Sequence, residues 1–257
     1  MNIGILTTGA PCPGIRHSAA NVSLWEQSQG NNVVAFDYGW KGLNENDVVE
    51  LSQLKPSHQP LVMDYAQKTL ENIDRLYCFT GNEGLEPLAE LVMRDDIKTN
   101  FIAIPKTVEN DMPHYDPIGN ETARVAIEDI ITQSVMPGEI VFVEVPPGQI
   151  NQVRHPYITD FISDQTKDCV SRHVILSRYE YHRHSIVLVS KDRDYSDIVK
   201  FLRKNTDAEI IRKCPNLMRE PCLYDCIIAE RAARESFYFA QEKKNFIWSH
   251  NVMIDIV

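Results

Sequence analysis

Short apolar runs alternate with helical stretches through the first half of the chain, and this rhythm limits the fold more than any other feature. The apolar runs are rich in Ile, Val, Leu and Phe, which is typical of buried strands. The predicted strands lie at residues 3–7, 32–36, 76–80 and 101–104, and the predicted helices at 15–27, 62–73, 85–93 and 121–133. This alternation predicts a parallel sheet with helices on both faces.

The second half of the chain continues the pattern at wider spacing. Strands are predicted at residues 140–145 and 185–189, and helices at 196–204 and 223–241. The chain has 257 residues, of which 43% are hydrophobic, so it can bury a substantial core. The layout predicts two α/β lobes with a boundary near residues 136–138.

The densest group of polar side chains follows the fourth predicted strand. Pro105 restricts φ and ends the apolar run, so the residues after it are expected at the carboxyl edge of the sheet, where open α/β sheets bind ligands. These residues are Lys106, Thr107, Glu109 and Asp111. If the segment is extended, the two carboxylates point to the same side. A carboxylate pair beside a lysine is suited to hold a metal and a phosphate while one acid takes a proton from a hydroxyl.

Several segments, in the same order along the chain, resemble the phosphofructokinase family. Residues 105–111, PKTVEND, resemble its PKTIDND segment, and residues 4–21, GILTTGAPCPGIRHSAAN, resemble its first strand, phosphate-approach loop and first helix. The other segments are LYCFTGNEGLEPLAEL at 76–91, IVFVEV at 140–145 and REPCLYDCIIAERAA at 219–233. The resemblance implies two Rossmann-like lobes with mainly parallel sheets and a cleft between them. The donor lobe is expected at residues 1–137 and the acceptor lobe, with the C-terminal helices, at 138–257.

The resemblance also implies where a phosphate donor binds. Small residues between a strand and a helix let backbone amides approach a phosphate, and the helix amino terminus adds favourable charge. The implied donor-binding residues are Gly9, Ala10, Gly14, Gly81, Gly84 and Lys106. Ala10 adds a methyl group where the family has a second glycine, and a β-carbon there restricts the backbone.

Two indicators of donor identity disagree. Gly84 resembles ATP-using members of the family, whereas Lys106 resembles members that use pyrophosphate and contact it through this lysine. We favour pyrophosphate over ATP, because a lysine adds a phosphate contact and because residues 51–75 lack the early arginine of a nucleotide-contacting loop. The resemblance implies Mg²⁺ bound by Glu83 and Asp111, with Glu83 in place of the family's aspartate.

On the acceptor side, the resemblance makes Glu109 the base that removes a proton from the acceptor hydroxyl, with Asp111 and Lys106 beside it. Thr107 and Arg219 are the implied acceptor contacts. Other positions depart from the family pattern in charge, since Pro146, Pro147 and Gly148 replace Met-Gly-Arg, and Glu139 and Lys191 replace an arginine and a glutamate. A phosphorylated acceptor would lose arginine contacts through these changes.

Composition excludes several classes of protein. A net charge of −10 argues against a nucleic-acid binder, because phosphate contacts require a basic face. No apolar run reaches about 18 residues, so no membrane span is expected. The six cysteines lack metal-site spacing, and the first residues do not resemble a signal peptide, so we predict a cytoplasmic protein. The resemblance implies a homo-oligomer, a dimer or a tetramer, that binds a small anionic metabolite.

Three hypotheses remain open. The first is a divergent phosphotransferase that uses pyrophosphate or ATP to phosphorylate a sugar phosphate or another small metabolite. The second is a catalytically inactive member of the family that acts as a ligand sensor or a partner subunit. Simultaneous changes favour it, at Ala10, Glu83, Glu109, Pro146 to Gly148 and Lys191. The third is a different reaction on an anionic metabolite.

Overall fold

The computed structural model describes residues 1–112, 114–242, 244–249 and 252–256, and the chain forms two compact units. Unit 1 contains Met1–Thr107, Asp111–Asn120 and Glu220–Val257, and unit 2 contains Val108–Asn110 and Glu121–Arg219. The chain thus leaves unit 1 and later returns to it, whereas the sequence pattern predicts a single boundary at residue 137. The assignment of donor and acceptor roles to two lobes stays a prediction.

The secondary structure of unit 1 surrounds one sheet. Its strands are β1 (Asn2–Thr7), β2 (Asn32–Phe36), β3 (Val48–Val49), β4 (Arg75–Thr80), β5 (Asn100–Pro105), β10 (Phe246–Ser249) and β11 (Val252–Asp255). Its helices are α1 (Ile15–Ser28), α2 (Trp40–Glu45), α3 (Met63–Leu70), α4 (Asn82–Val92) and α9 (Leu223–Phe239), with a short 3₁₀ helix at Leu51–Gln53.

Unit 2 has a smaller sheet with its own helices. The strands are β6 (Glu139–Val145), β7 (Ile158–Ile162), β8 (Ser185–Ser190) and β9 (Glu209–Lys213). The helices are α5 (Asn120–Thr132), α6 (Pro147–Ile150), α7 (Asp168–His182) and α8 (Ser196–Asn205). In the part of the chain that the structure describes, no helix has the length and apolarity needed to cross a membrane.

The sheet of unit 1 has the strand order β11-β10-β5-β4-β1-β2-β3. Among the strands that the structure describes in this sheet, only β3 and β11 pair with their neighbours in antiparallel fashion. Side chains of the central strands alternate between two buried clusters, so that Ile5 and Tyr77 pack towards α1 and α9, and Leu6 and Cys78 pack towards α2, α3 and α4. The predicted α/β fold, with a mainly parallel sheet covered on both faces, is confirmed.

The C-terminal residues belong to unit 1 because they complete its sheet and its helical cover. Strand β10 pairs with β5 in parallel, and α9 packs on α1 through Ala229, Ala232 and Ala233. Small side chains allow two helices to approach closely, so a long stretch of α9 can join the core of unit 1. The chain must therefore come back to the first sheet after unit 2 is complete.

A buried ionic network links α1 to the sheet of unit 1. The Glu26 carboxylate is fully buried, forms an ion pair with Arg75 on β4 and accepts a hydrogen bond from the Tyr77 hydroxyl over 2.7 Å. Asn31 donates to its other oxygen over 2.5 Å, and Arg75 also donates to the Ala240 carbonyl over 2.8 Å. Buried charges persist only when they are paired and hydrogen-bonded, so these groups depend on one another.

The sheet of unit 2 is fully parallel, with the strand order β7-β8-β6-β9. Its central strands β6 and β8 end side by side, because Val145 pairs with Ser190. The backbone N–H of Lys191 continues this ladder by donating to the Val145 carbonyl over 2.8 Å. Residues that follow these two strands therefore leave the sheet at the same edge.

Candidate functional site

The register of the sheet in unit 1 brings three loops to one edge. Thr7 pairs with Phe79, and Thr80 pairs with Pro105, so β1, β4 and β5 end level with one another. The loop of residues 8–14, which we call the donor loop, follows β1. Gly81 follows β4, and Lys106 follows β5. The carboxyl edge of a parallel sheet is where ligands bind in this class of fold.

Lys106 is the most buried charged group at this edge, with 3% of its surface exposed. Its Nζ atom donates to the Ala10 carbonyl oxygen over 2.5 Å. Burial lowers the pKa of Lys106 below its ordinary value of 10.5, whereas the neighbouring Cys12, Glu83 and Asp111 act in the opposite direction. An ammonium with little water around it gains more from an anionic partner than an exposed one does.

Two glycines at this edge, Gly9 and Gly81, lie close to the carboxylate of Glu83. Gly9 has a positive φ of 68°, and a Cβ atom built on it would overlap Glu83 Oε1 and lie 3.4 Å from Lys106 Nζ. A Cβ at Gly81 would lie 2.5 Å from Glu83 Oε2. The structure therefore places Glu83 on the donor loop, beside Lys106, with its carboxylate over the space that these glycines leave open.

Two other glycines have packing roles. Gly14 begins α1 with a positive φ of 86°, and a Cβ there would lie 2.8 Å from the Ile118 side chain. Gly84 lets α4 lie on the ends of β1 and β4, since a Cβ would overlap Thr80 Oγ1 and lie 2.6 Å from Thr8 Oγ1. Their predicted part in donor binding, like that of Ala10, stays a prediction.

The backbone does not stay extended between the two predicted acids. Asn110 has a positive φ of 56°, so the alternation that would point Glu109 and Asp111 to the same side is interrupted. The Asp111 carboxylate accepts a hydrogen bond from the Thr107 hydroxyl over 2.6 Å, and its carbonyl accepts one from the Asn82 amide over 2.6 Å. Asp111 and Thr107 thus form a small polar group within unit 1.

Glu109 belongs to unit 2, where it forms an ion pair with Lys191 just after β8. Both side chains are about half exposed. The adjoining backbone packs closely on Gly148, because a Cβ at Gly148 would overlap the Glu109 carbonyl and lie 2.7 Å from the Asn110 carbonyl. Gln149 donates to the Val108 carbonyl over 3.1 Å. The Pro-Pro-Gly segment therefore packs against the backbone of Glu109.

Arg219, a predicted acceptor contact, forms an ion pair with Asp129 in unit 2, and both side chains are about half exposed. Thr107 lies in unit 1, and the predicted contact of both residues with an acceptor stays a prediction. Two of the predicted acceptor-side groups, Glu109 and Arg219, therefore have internal partners of opposite charge.

Glu83 and Asp111, the predicted Mg²⁺ ligands, can supply only part of the coordination of the ion. Within the described ranges, no group of three or more His, Cys, Asp or Glu side chains could hold a metal ion. Glu83 and Asp111 both act electrostatically on Lys106, so both carboxylates belong to its surroundings. Magnesium is often bound by one or two carboxylates together with substrate phosphates. The chain is thus suited to a metal that is bound jointly with the donor's phosphates.

Sequence reasoning missed the segment that lies along the donor loop. The Gly9 N–H donates to the Ser57 carbonyl over 2.7 Å, and Thr8 forms an isolated bridge with Ser57. A cavity of about 300 Å³ lies beside these contacts and is lined in part by Gly9, Ser57, His58 and Glu83. The segment PSHQP at 56–60 has no periodic pattern, so nothing in the sequence indicated this contact.

Comparison with known proteins was made for sequence and for structure. Residues 2–145 match the family described as Phosphofructokinase. An ATP-dependent 6-phosphofructokinase of a Sulfurihydrogenibium species is 31% identical over 173 residues, which are 58% of this chain and 53% of that protein. A pyrophosphate–fructose 6-phosphate 1-phosphotransferase of Dictyoglomus thermophilum is 26% identical over 51% of this chain and 43% of that protein. The chain thus spans about half the length of the curated relatives that it matches.

Solved structures show the same fold. The T-state phosphofructokinase of Pichia pastoris superposes with a TM-score of 0.81 and 15% identity, over 100% of this chain and 35% of that one. The pyrophosphate-dependent phosphofructokinase of Nitrosospira multiformis superposes with a TM-score of 0.78 and 15% identity, over 99% of this chain and 83% of that one.

Proposed function

Because this chain belongs to the phosphofructokinase family, we propose that it is a phosphotransferase that moves a phosphoryl group from pyrophosphate to a hydroxyl of a sugar phosphate or another small metabolite. One observation carries this proposal. The buried ammonium of Lys106 lies at the donor loop, next to Gly9 and close enough to Glu83 and Asp111 for both to affect its pKa.

In the proposed reaction, the acceptor hydroxyl oxygen bonds to the terminal phosphorus of the donor while the bond from that phosphorus to the leaving phosphate breaks. The hydroxyl proton passes to Glu109, and with pyrophosphate the leaving group is orthophosphate. Lys106 offsets negative charge on the donor, and Thr107 and Arg219 contact the acceptor. Phosphoryl transfer depends mainly on positioning and charge neutralisation, which a buried lysine supplies well.

Pyrophosphate is favoured over ATP on two grounds. Lys106 provides a direct ionic contact for a phosphate, and the cavity beside the donor loop, at about 300 Å³, is at the small end of the range for ligand sites. A donor of two phosphoryl groups needs less room than a nucleotide. The relatives named above include proteins of both kinds, so donor identity has to be measured on this chain.

Magnesium is the proposed cofactor, with Glu83 and Asp111 as its protein ligands. When bound, it would neutralise charge on the polyphosphate and leave the positioning of the donor to Lys106 and the donor loop.

A second candidate is a catalytically inactive member of the family that binds a ligand without transforming it. The ion pair between Glu109 and Lys191 favours this candidate, because a base has to release its cationic partner before it can accept a proton. The changes at Pro146–Gly148 remove the arginine that the family resemblance would place there, which weakens the case for a sugar phosphate as acceptor.

Phosphoryl transfer can be tested directly by ³¹P NMR. The full chain would be incubated with Mg²⁺, either pyrophosphate or ATP, and a panel of hydroxylated acceptors that begins with fructose 6-phosphate. We expect a new phosphate-ester resonance with pyrophosphate. Lys106→Gln should reduce its rate of formation about a hundredfold, the usual cost of one lost transition-state contact.

Lys55→Gln is the matched control, because Lys55 is an exposed lysine of the same unit and should leave the rate unchanged. An ester formed only with ATP would correct the donor. The absence of any ester with both donors, from a protein that still binds pyrophosphate, would reject the transferase in favour of the inactive candidate.

A further inference from the structure

The carboxylate of Glu83 covers the glycine surface of the donor loop. A Cβ at Gly9 would overlap one of its oxygens, and a Cβ at Gly81 would lie 2.5 Å from the other. Glycines at such a turn normally leave the backbone open to an approaching phosphate. In this protein an anionic side chain already occupies that space.

Other groups at the same place also have internal partners. The Gly9 N–H donates to the Ser57 carbonyl over 2.7 Å, and Lys106 Nζ donates to the Ala10 carbonyl over 2.5 Å. The negative charge of Glu83 further opposes the lowering of the Lys106 pKa by burial. The polar groups of the donor loop are therefore already paired within the protein. An incoming anion has to replace these internal contacts.

The carboxylate of Glu83 can move away from Gly9. The residue is exposed and lies in the first turn of α4, where the helix dipole favours a negative charge. In the described part of the chain, its carboxylate makes no hydrogen bond and no ion pair within 4 Å. The atoms that cover Gly9 are at the far end of a flexible side chain, so moving them requires no change of backbone.

We infer that Glu83 is a resident anion of the donor site: its carboxylate competes with the donor's phosphoryl group for the surface of Gly9 and Gly81 beside Lys106. This inference rests on the donor site proposed above. Competition of this kind lowers the apparent affinity in proportion to the fraction of molecules in which the site is open. The length of the side chain is decisive, because an aspartate is about 1.5 Å shorter and would not cover the glycines.

The test is isothermal titration calorimetry of the full chain with pyrophosphate in metal-free buffer, so that metal binding by Glu83 cannot contribute. Glu83→Asp keeps the charge and removes the reach, and we expect it to tighten pyrophosphate binding by about tenfold. Glu83→Gln removes the charge and keeps the length. Glu86→Asp is the matched control, because Glu86 is an exposed residue of the same helix and is not among the residues that line the cavity. The control should bind like the parent protein.

Each result decides between explanations. Equal binding by the parent and Glu83→Asp, or weaker binding by Glu83→Asp, would overturn the inference and leave the donor site standing. Tighter binding by Glu83→Gln alone would show that Glu83 acts as a distant charge and does not occupy the site, which also overturns the inference. Absence of binding in every variant with Lys106 intact would reject the donor site itself. Melting curves would confirm that each variant is folded.

Discussion

The predicted site residues of the two units differ in the burial and the partners of their charged groups. In unit 1, Lys106 is buried and its ammonium contacts the backbone of the donor loop. In unit 2, Glu109 and Arg219 are about half exposed, and each forms an ion pair with an opposite charge, Lys191 and Asp129. A buried charge is costly to keep, and this cost is the reason for proposing that Lys106 binds an anionic donor.

The family match covers more of unit 1 than of unit 2. It covers residues 2–145, which include β1, β2, β4, β5 and the donor loop of unit 1, together with α5 and β6 of unit 2. Unit 2 has a four-stranded parallel sheet, and Pro146–Gly148 and Lys191 follow two of its strands. Three substitutions test the difference between buried charge in unit 1 and exposed charge in unit 2.

The largest effect is expected from Glu26→Gln in the buried network of unit 1. The substitution leaves the Arg75 guanidinium buried without a charged partner, so we expect the free energy of unfolding to fall by about 3–5 kcal/mol. Urea unfolding followed by circular dichroism measures this loss. Asp207→Asn breaks the exposed Arg183 ion pair of unit 2 and should have no measurable effect. Similar losses for both variants would contradict the contrast.

A smaller effect, which depends on pH, is expected from Lys106→Met. Because burial lowers the pKa of Lys106 in the folded state, the unfolded chain binds more protons between that lowered pKa and 10.5. The contribution of Lys106 to stability should therefore rise with pH through this window, and Lys106→Met should remove that rise. The measurement is urea unfolding of both proteins from pH 7 to pH 10.

Lys55→Met serves as the control for this pH series. A hydrogen bond to Tyr38 raises the pKa of Lys55, so its contribution to stability declines as the pH increases through the alkaline range. If parent and Lys106→Met show parallel curves over the whole series, Lys106 is not buried as a charge in the folded protein.

The smallest effect on stability is expected from Lys191→Met in unit 2. The ion pair with Glu109 is half exposed, so its removal should change the free energy of unfolding by less than about 1 kcal/mol. If Glu109 is the base, its release from Lys191 should increase the rate of phosphoryl transfer in the ³¹P assay. A lower rate would instead show that Lys191 contacts the acceptor.

Much of the fold of unit 1 was predictable from local pattern. Strands β1, β2, β4 and β5 are short apolar runs between helical segments, and their boundaries agree with the predicted ones within one residue at each end. Helix α7 in unit 2 was missed, because only Ser171, Ile175 and Tyr179 are buried along it and this stripe is barely apolar. Strands β7 and β9 were missed as well, since they are edge strands with exposed and charged residues.

By itself, the sequence determined the kind of protein and the inventory of its site: a parallel α/β sheet, a glycine-containing loop after β1, and a lysine after β5. These follow from patterns in which neighbouring residues specify local structure. The tertiary structure decided the partners of each charge. Glu83 lies over Gly9, Ser57 accepts the Gly9 N–H, and Glu109 pairs with Lys191, although at least 47 residues separate the members of each pair along the chain. Contacts between such distant positions arise from strand register and packing, which no local pattern encodes.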